Sequence, residues 1–126
     1  MARSKKPTKA ARSSKRNSWE RISKARLEAL VAEATVDAYG ECEQATGLFT
    51  MIEDHLALPF RTQVLGVEVT VVKVDLNDCD DVVAICKRGR ERQALSILDL
   101  PLPNPRPEGW EWIEAFRYWA RGGRVV

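Results

Sequence analysis

Between residues 36 and 56, in VDAYGECEQATGLFTMIEDHL, five carboxylates occur without a single Lys or Arg among them. They are Asp37, Glu41, Glu43, Glu53 and Asp54. Carboxylate oxygens are the ligands hard divalent cations prefer, and calcium accepts about six to eight oxygens in irregular geometry, mixing side chains, backbone carbonyls and water. On a continuous helix Asp37 and Glu41 share one face, with Glu33 a turn before them and Gln44 three residues beyond. Gly40 lets the backbone turn so that Glu43 joins the set. Glu53 and Asp54 then face it from across a helical hairpin. A solvated acidic helix face has the same composition and stays open as the alternative.

A second acidic stretch, VDLNDCDDV, holds Asp75, Asn77, Asp78, Asp80 and Asp81. Read as an EF-hand loop it fails. With Asp75 first, Cys79 falls at the fifth position, Asp80 replaces the glycine at the sixth, and Cys86 replaces the closing glutamate. Its flanks read as strands. The segment is therefore a polar inter-strand loop or a calcium site of another kind, with Asp75 and Asp78 as its candidate ligands. The single histidine and three cysteines offer no zinc spacing. No nucleophile–base pair or phosphate loop is present, so the chain does not read as an enzyme.

The elements that must position these groups follow from periodicity. Ser18 is a candidate cap, and Ile22, Leu27, Leu30, Val31 and Ala34 recur at helical spacing. Gly40 and Gly47 read as breaks, LFTMIEDHL as a second helical segment, and Pro59 as its stop. FRTQVLG, VEVTVVKVDL, DVVAICK and RQALSILDL read as strands, with a phase slip at Val71–Val72 predicting a bulge and a hairpin turn at Gly89. PLPNPRP is an extended connector. The closing helix carries Trp112, Phe116 and Trp119 on one face and ends at Gly122. The fold class is α+β: N-terminal helices, a small antiparallel, SH3-like four-stranded meander, and a C-terminal aromatic helix.

The net charge of +2 averages two opposed segments. Residues 1–26 hold ten Lys or Arg against one acid, while residues 27–126 hold ten against seventeen. Residues 1–17 form a basic arm with too little apolar bulk to order itself, and residues 18–126 a single acidic domain. The arm suits non-specific contact with nucleic acid or an anionic surface through counterion release. KRGRER, residues 87–92, is a basic hairpin tip that touches phosphate or acidic partners, or simply guards a strand edge. No secretory apolar run or membrane span follows the charges, although a transit peptide shares the arm's composition. The odd cysteine count without a CxxC pair suggests a reduced, cytoplasmic setting.

Three stretches together, VDAYGECEQATG…IEDHLALPF, VLGVEVTVVKVDL and VVAICKRGRERQALSILDLPLP…EGWEWIEAFRYWA, resemble the cyanobacterial calcium-binding protein (CcbP) family over roughly residues 28–121. The resemblance implies a compact bacterial protein that binds Ca²⁺ without EF-hands and serves as a buffer or signalling component. It carries the calcium role to Asp37 first, then to Glu41 and Glu43, and then to Glu53, Asp54 and the Asp75–Asp81 loop. A nucleic-acid accessory protein and a protein–protein module are the competing classes.

Overall fold

The computed structural model describes residues 22–78 and 81–122. Helix α1 spans Lys24–Ala34 and α2 spans Glu41–His55. Four strands follow: β1 (Phe60–Val64), β2 (Val67–Asn77), β3 (Asp81–Arg88) and β4 (Glu91–Ser96). Helix α3 (Trp110–Ala120) closes the described chain. The strands form one antiparallel sheet in sequence order, β1-β2-β3-β4. The α+β meander flanked by helices is the arrangement the periodicity predicts. The predicted bulge is present as a register shift between Val71 and Lys73. It keeps Val71 and Val74, both buried, on the core side of β2 despite their odd spacing.

Local chemistry explains the helix ends. Ser23 caps α1, its hydroxyl accepting the Arg26 N–H at 3.1 Å. The cap expected at Ser18, like the arm at residues 1–17, lies outside the described residues. Gly40 does break the helical region, as the N-cap of α2. Gly47 does not: it lies inside α2, where a Cβ would overlap the Ala34 carbonyl oxygen. Its glycine serves close helix approach rather than a turn.

The core lies among the three helices and the inner face of the sheet, and α2 is the helix that packs directly on β2 and β3. Leu48 and Ile52 of α2 meet Val71 and Val82 of the strands and Phe116 and Trp119 of α3 in one buried cluster. Trp112, Phe116 and Trp119 are buried together, as their spacing on one helix face requires. Each large apolar side chain so buried contributes about 1.5–3 kcal/mol.

Polar pins fix the irregular connector, residues 97–109. Arg117 of α3 donates to the Ile97 carbonyl at 3.0 Å and to the Leu100 carbonyl, and it meets Glu114 at 3.3 Å. Burial pulls the Arg117 guanidinium below its usual pKa, and the Glu114 carboxylate opposes that pull. Thr62 of β1 donates to the Pro101 carbonyl at 2.7 Å, and Ala57 N–H to the Glu108 carbonyl at 2.8 Å.

Gly109 sits at φ +88°, where a Cβ would also overlap the His55 and Leu56 backbone. Strain and overlap act together there, so Gly109→Ala should destabilise by about 2–4 kcal/mol in urea unfolding. Gly40 is extended and has open space around its Cβ position, so Gly40→Ala should cost no more than about 1 kcal/mol. Equal costs for the two variants would refute this account of the α2–α3 junction.

Candidate metal centre

The acidic region is not one continuous helix. Helix α1 stops at Ala34, and six residues (35–40) intervene before α2 begins at Glu41. In this linker Thr35 N–H and hydroxyl both return to the Val31 carbonyl, and Ala38 N–H closes a turn on the Thr35 carbonyl at 2.9 Å. Asp37 occupies that turn at φ +65°, a left-handed conformation that Asp and Asn tolerate better than most residues. The predicted i, i+4 stripe of Glu33, Asp37 and Glu41 is therefore absent. A bent loop takes its place, with Asp37 exposed four residues before α2 begins.

Glu41 and Glu43 are exposed in that first turn, where carboxylates favour the positive end of the helix dipole. Glu43 Oε1 accepts the Tyr39 N–H at 2.8 Å, so the third residue of the helix reaches back over its start. This interaction holds the linker against α2 and gives Glu43 a structural task. Gln44, expected among the oxygen donors, is turned the other way. It is 6% exposed, and its amide oxygen accepts the indole N–H of Trp119 at 2.8 Å. A buried indole needs such a partner, and that need takes Gln44 out of the acidic set.

Glu53 and Asp54 are exposed near the end of the same helix α2. Continuation of α2 through Gly47 removes the expected hairpin, so these acids do not face Glu41 from across a turn. Twelve residues of helical rise separate Glu41 from Glu53 by about 18 Å. That exceeds the Debye length at physiological salt, about 8 Å.

The second acidic stretch lies in the β2–β3 hairpin. Asp75 is exposed on β2, its Oδ1 accepting the Leu76 N–H at 2.9 Å, and Asn77 pairs with Asp81 across the ladder. Asp78 leaves β2 at φ +53°. Asp80 lies outside the described residues. Among the described residues, no three Asp, Glu, His or Cys side chains converge closely enough to hold a metal ion. A cation here would draw on few carboxylates at once and fill its shell from backbone carbonyls and water, a donor set that calcium accepts and magnesium resists.

The cysteines divide, Cys86 being the small core residue that its apolar strand implies and Cys42 departing from expectation. Cys86 is free and buried in β3, and burial pushes its thiol pKa up. Cys42, in the first turn of α2, is disulfide-bonded. The reduced state inferred from an odd count does not hold for Cys42, since three thiols permit one bridge and one leftover. No helix among the described residues is long and apolar enough to cross a membrane.

A family model described as calcium binding, that of the CcbP proteins, matches residues 28–120. The crystal structure of Anabaena CcbP is similar in fold, with a TM-score of 0.61 at 18% identity, covering 86% of this chain and 99% of that one. Among curated proteins, none matches.

The Glu43 contact separates structure from charge. Glu43→Gln keeps an acceptor for the Tyr39 N–H, whereas Glu43→Ala removes it. In urea unfolding without calcium, the alanine variant should lose about 0.5–1 kcal/mol and the glutamine variant clearly less. Equal losses would assign the effect to the helix dipole instead.

Proposed function

Because the chain belongs to the calcium-binding CcbP family, we propose that it is a calcium buffer or signalling component without EF-hands, its ion held where Asp37 meets the start of α2. The observation that carries this reading is the left-handed turn at Asp37, followed within six residues by the exposed Glu41 and Glu43. Asp37 in a short loop between two anchored helices, with Glu41 and Glu43 in the turn that follows, offers side-chain oxygens, carbonyls and water access within a short stretch of chain. That linker has half the length of an EF-hand loop of about twelve residues. The Asp75–Asp81 hairpin is a second, weaker site, held between strands rather than helices. Glu53 and Asp54 add only screened, long-range attraction.

The chemistry asked of the protein is modest. Asp37 supplies a full charge from a backbone conformation that needs no rearrangement. Glu41 supplies another, from the end of a helix whose buried face is packed. Glu43 is shared between the ion and the Tyr39 N–H, so binding draws on a group already oriented. Exposure of all three leaves the ion in exchange with water, which suits buffering. The function proposed is reversible binding of an ion.

Calcium at a hundredfold excess over its Kd should stabilise the fold by about 2.7 kcal/mol, raising Tm by roughly 10 °C or more. Magnesium at the same concentration should do less. An unchanged melting curve in millimolar calcium would contradict the reading.

Asn fits the left-handed turn as well as Asp does, so Asp37→Asn removes charge without straining the backbone. By calorimetry, calcium affinity should fall at least about tenfold, roughly 1.4 kcal/mol, with the metal-free melting temperature unchanged. Glu53→Gln with Asp54→Asn should change affinity by less than about twofold, in line with their distance. The reverse ranking would move the site to the far end of α2.

A further inference from the structure

The inner face of the sheet is longer than the helices that cover it. Helix α2 packs on β2 and β3, while β1 and β4 have no helix against them among the described residues. Beyond that cover, the β1–β2 and β3–β4 hairpins enclose a groove of about 590 Å³. Its floor is Val67, Val69, Cys86 and Leu95, continuous with the buried Val71 through the β2 ladder. Arg88 and Arg92 stand at its rim.

Three features of this groove go beyond what the fold requires. Leu65, at its lip, is 97% exposed and adopts φ +52° in the β1–β2 turn. Asn or Gly satisfies such a turn more readily, so turn chemistry does not account for an apolar side chain there. Residues 87–92 carry Lys87, Arg88, Arg90 and Arg92 against Glu91 alone. None of these four cations has an ion pair or side-chain hydrogen bond among the described residues. Finally, β4 is a sheet edge, pairing only with β3, and so keeps one row of backbone donors and acceptors unengaged by the ladder.

We infer that this groove and the β4 edge dock an extended acidic–apolar segment of a partner protein, added to β4 as a further strand. Alternation of side chains along an added strand accounts for both halves of the surface. Apolar residues enter the groove beside Leu95 and Leu65, and acidic residues meet the cations of the hairpin tip. Charge complementarity selects the partner: an acidic strand is attracted, and a basic one is repelled by the unpaired arginines. The residues used are separate from Asp37, Glu41 and Glu43, so docking and calcium binding are independent tests.

The experiment is fluorescence anisotropy on the full chain at 0.15 M salt, with a labelled eight-residue peptide alternating Asp and Val. Peptides of alternating Lys and Val, and of Asp alone, are its controls. Binding of the Asp–Val peptide alone is expected. Affinity should fall at least about tenfold in the Arg88→Glu, Arg92→Glu double variant and at least about threefold in Leu65→Ser. Melting temperature and calcium affinity should stay as in the parent. The proposal is overturned if no peptide binds at 1 mM, if Asp alone binds equally, or if the variants bind like the parent, which would assign capture to the basic arm. It is also overturned if sedimentation shows a dimer that the double variant dissolves, since a second copy then fills the groove. Stronger binding of an oligothymidine strand, lost in the same variant, would make the surface a nucleic-acid site instead.

Discussion

The hydrogen bond from the Trp119 indole to Gln44, 2.8 Å long and buried, sets the rotation of α2 on which the other features depend. A buried donor or acceptor left unpaired costs about 1–3 kcal/mol, so the pair holds α2 and α3 in one relative register. With Gln44 turned inward, Ala45, Leu48 and Ile52 follow onto the buried face. Glu43 is left in solvent, where it can reach back to Tyr39. Gly47 completes the constraint by letting α2 approach the end of α1, from which the 35–40 linker, with Asp37 in a left-handed conformation, runs to the start of α2. The candidate metal centre is a consequence of helix packing, built from groups that the core itself does not need.

The same constraint divides the surface. Helix α2 lies on β2 and β3 and not on the outer strands, so the sheet has a closed end under the helices and an open end at the β1–β2 and β3–β4 hairpin tips. The acidic stretch of Asp37, Glu41 and Glu43 and the basic tip belong to different elements and carry opposite charge. A chain whose net charge is only +2 thus carries two separate charged surfaces besides its basic N-terminal segment.

Most of the architecture is legible in periodicity. Valine-rich runs mark the strands, the slip at Val71–Val72 marks the bulge, and Trp112, Phe116 and Trp119 mark the buried face of α3. The acidic region is harder to read, and for identifiable reasons. Helical spacing from Glu33 to Glu41 looks continuous because Thr35, Val36 and Ala38 are all compatible with a helix; the break is set by the left-handed turn at Asp37 and the N-cap at Gly40. Gly47 resembles a breaker because a sequence does not reveal that another helix passes against it. Gln44 looks like one more oxygen donor until the indole it satisfies is known to be 75 residues away. The pairing state of Cys42 likewise depends on tertiary neighbours. Local signals find elements, whereas long-range partners decide which polar side chains remain available for a ligand.

The proposed calcium site lies at the junction of the 35–40 linker and α2. A calcium titration followed by ¹H–¹⁵N correlation spectra of the full chain tests it most directly. The largest shifts should fall on the amides of residues 35–43, with smaller ones at 75–78 and near silence at Glu53 and Asp54. Largest shifts in the β2–β3 hairpin, with residues 35–43 unmoved, would contradict the account and transfer the principal site to Asp75 and Asp78.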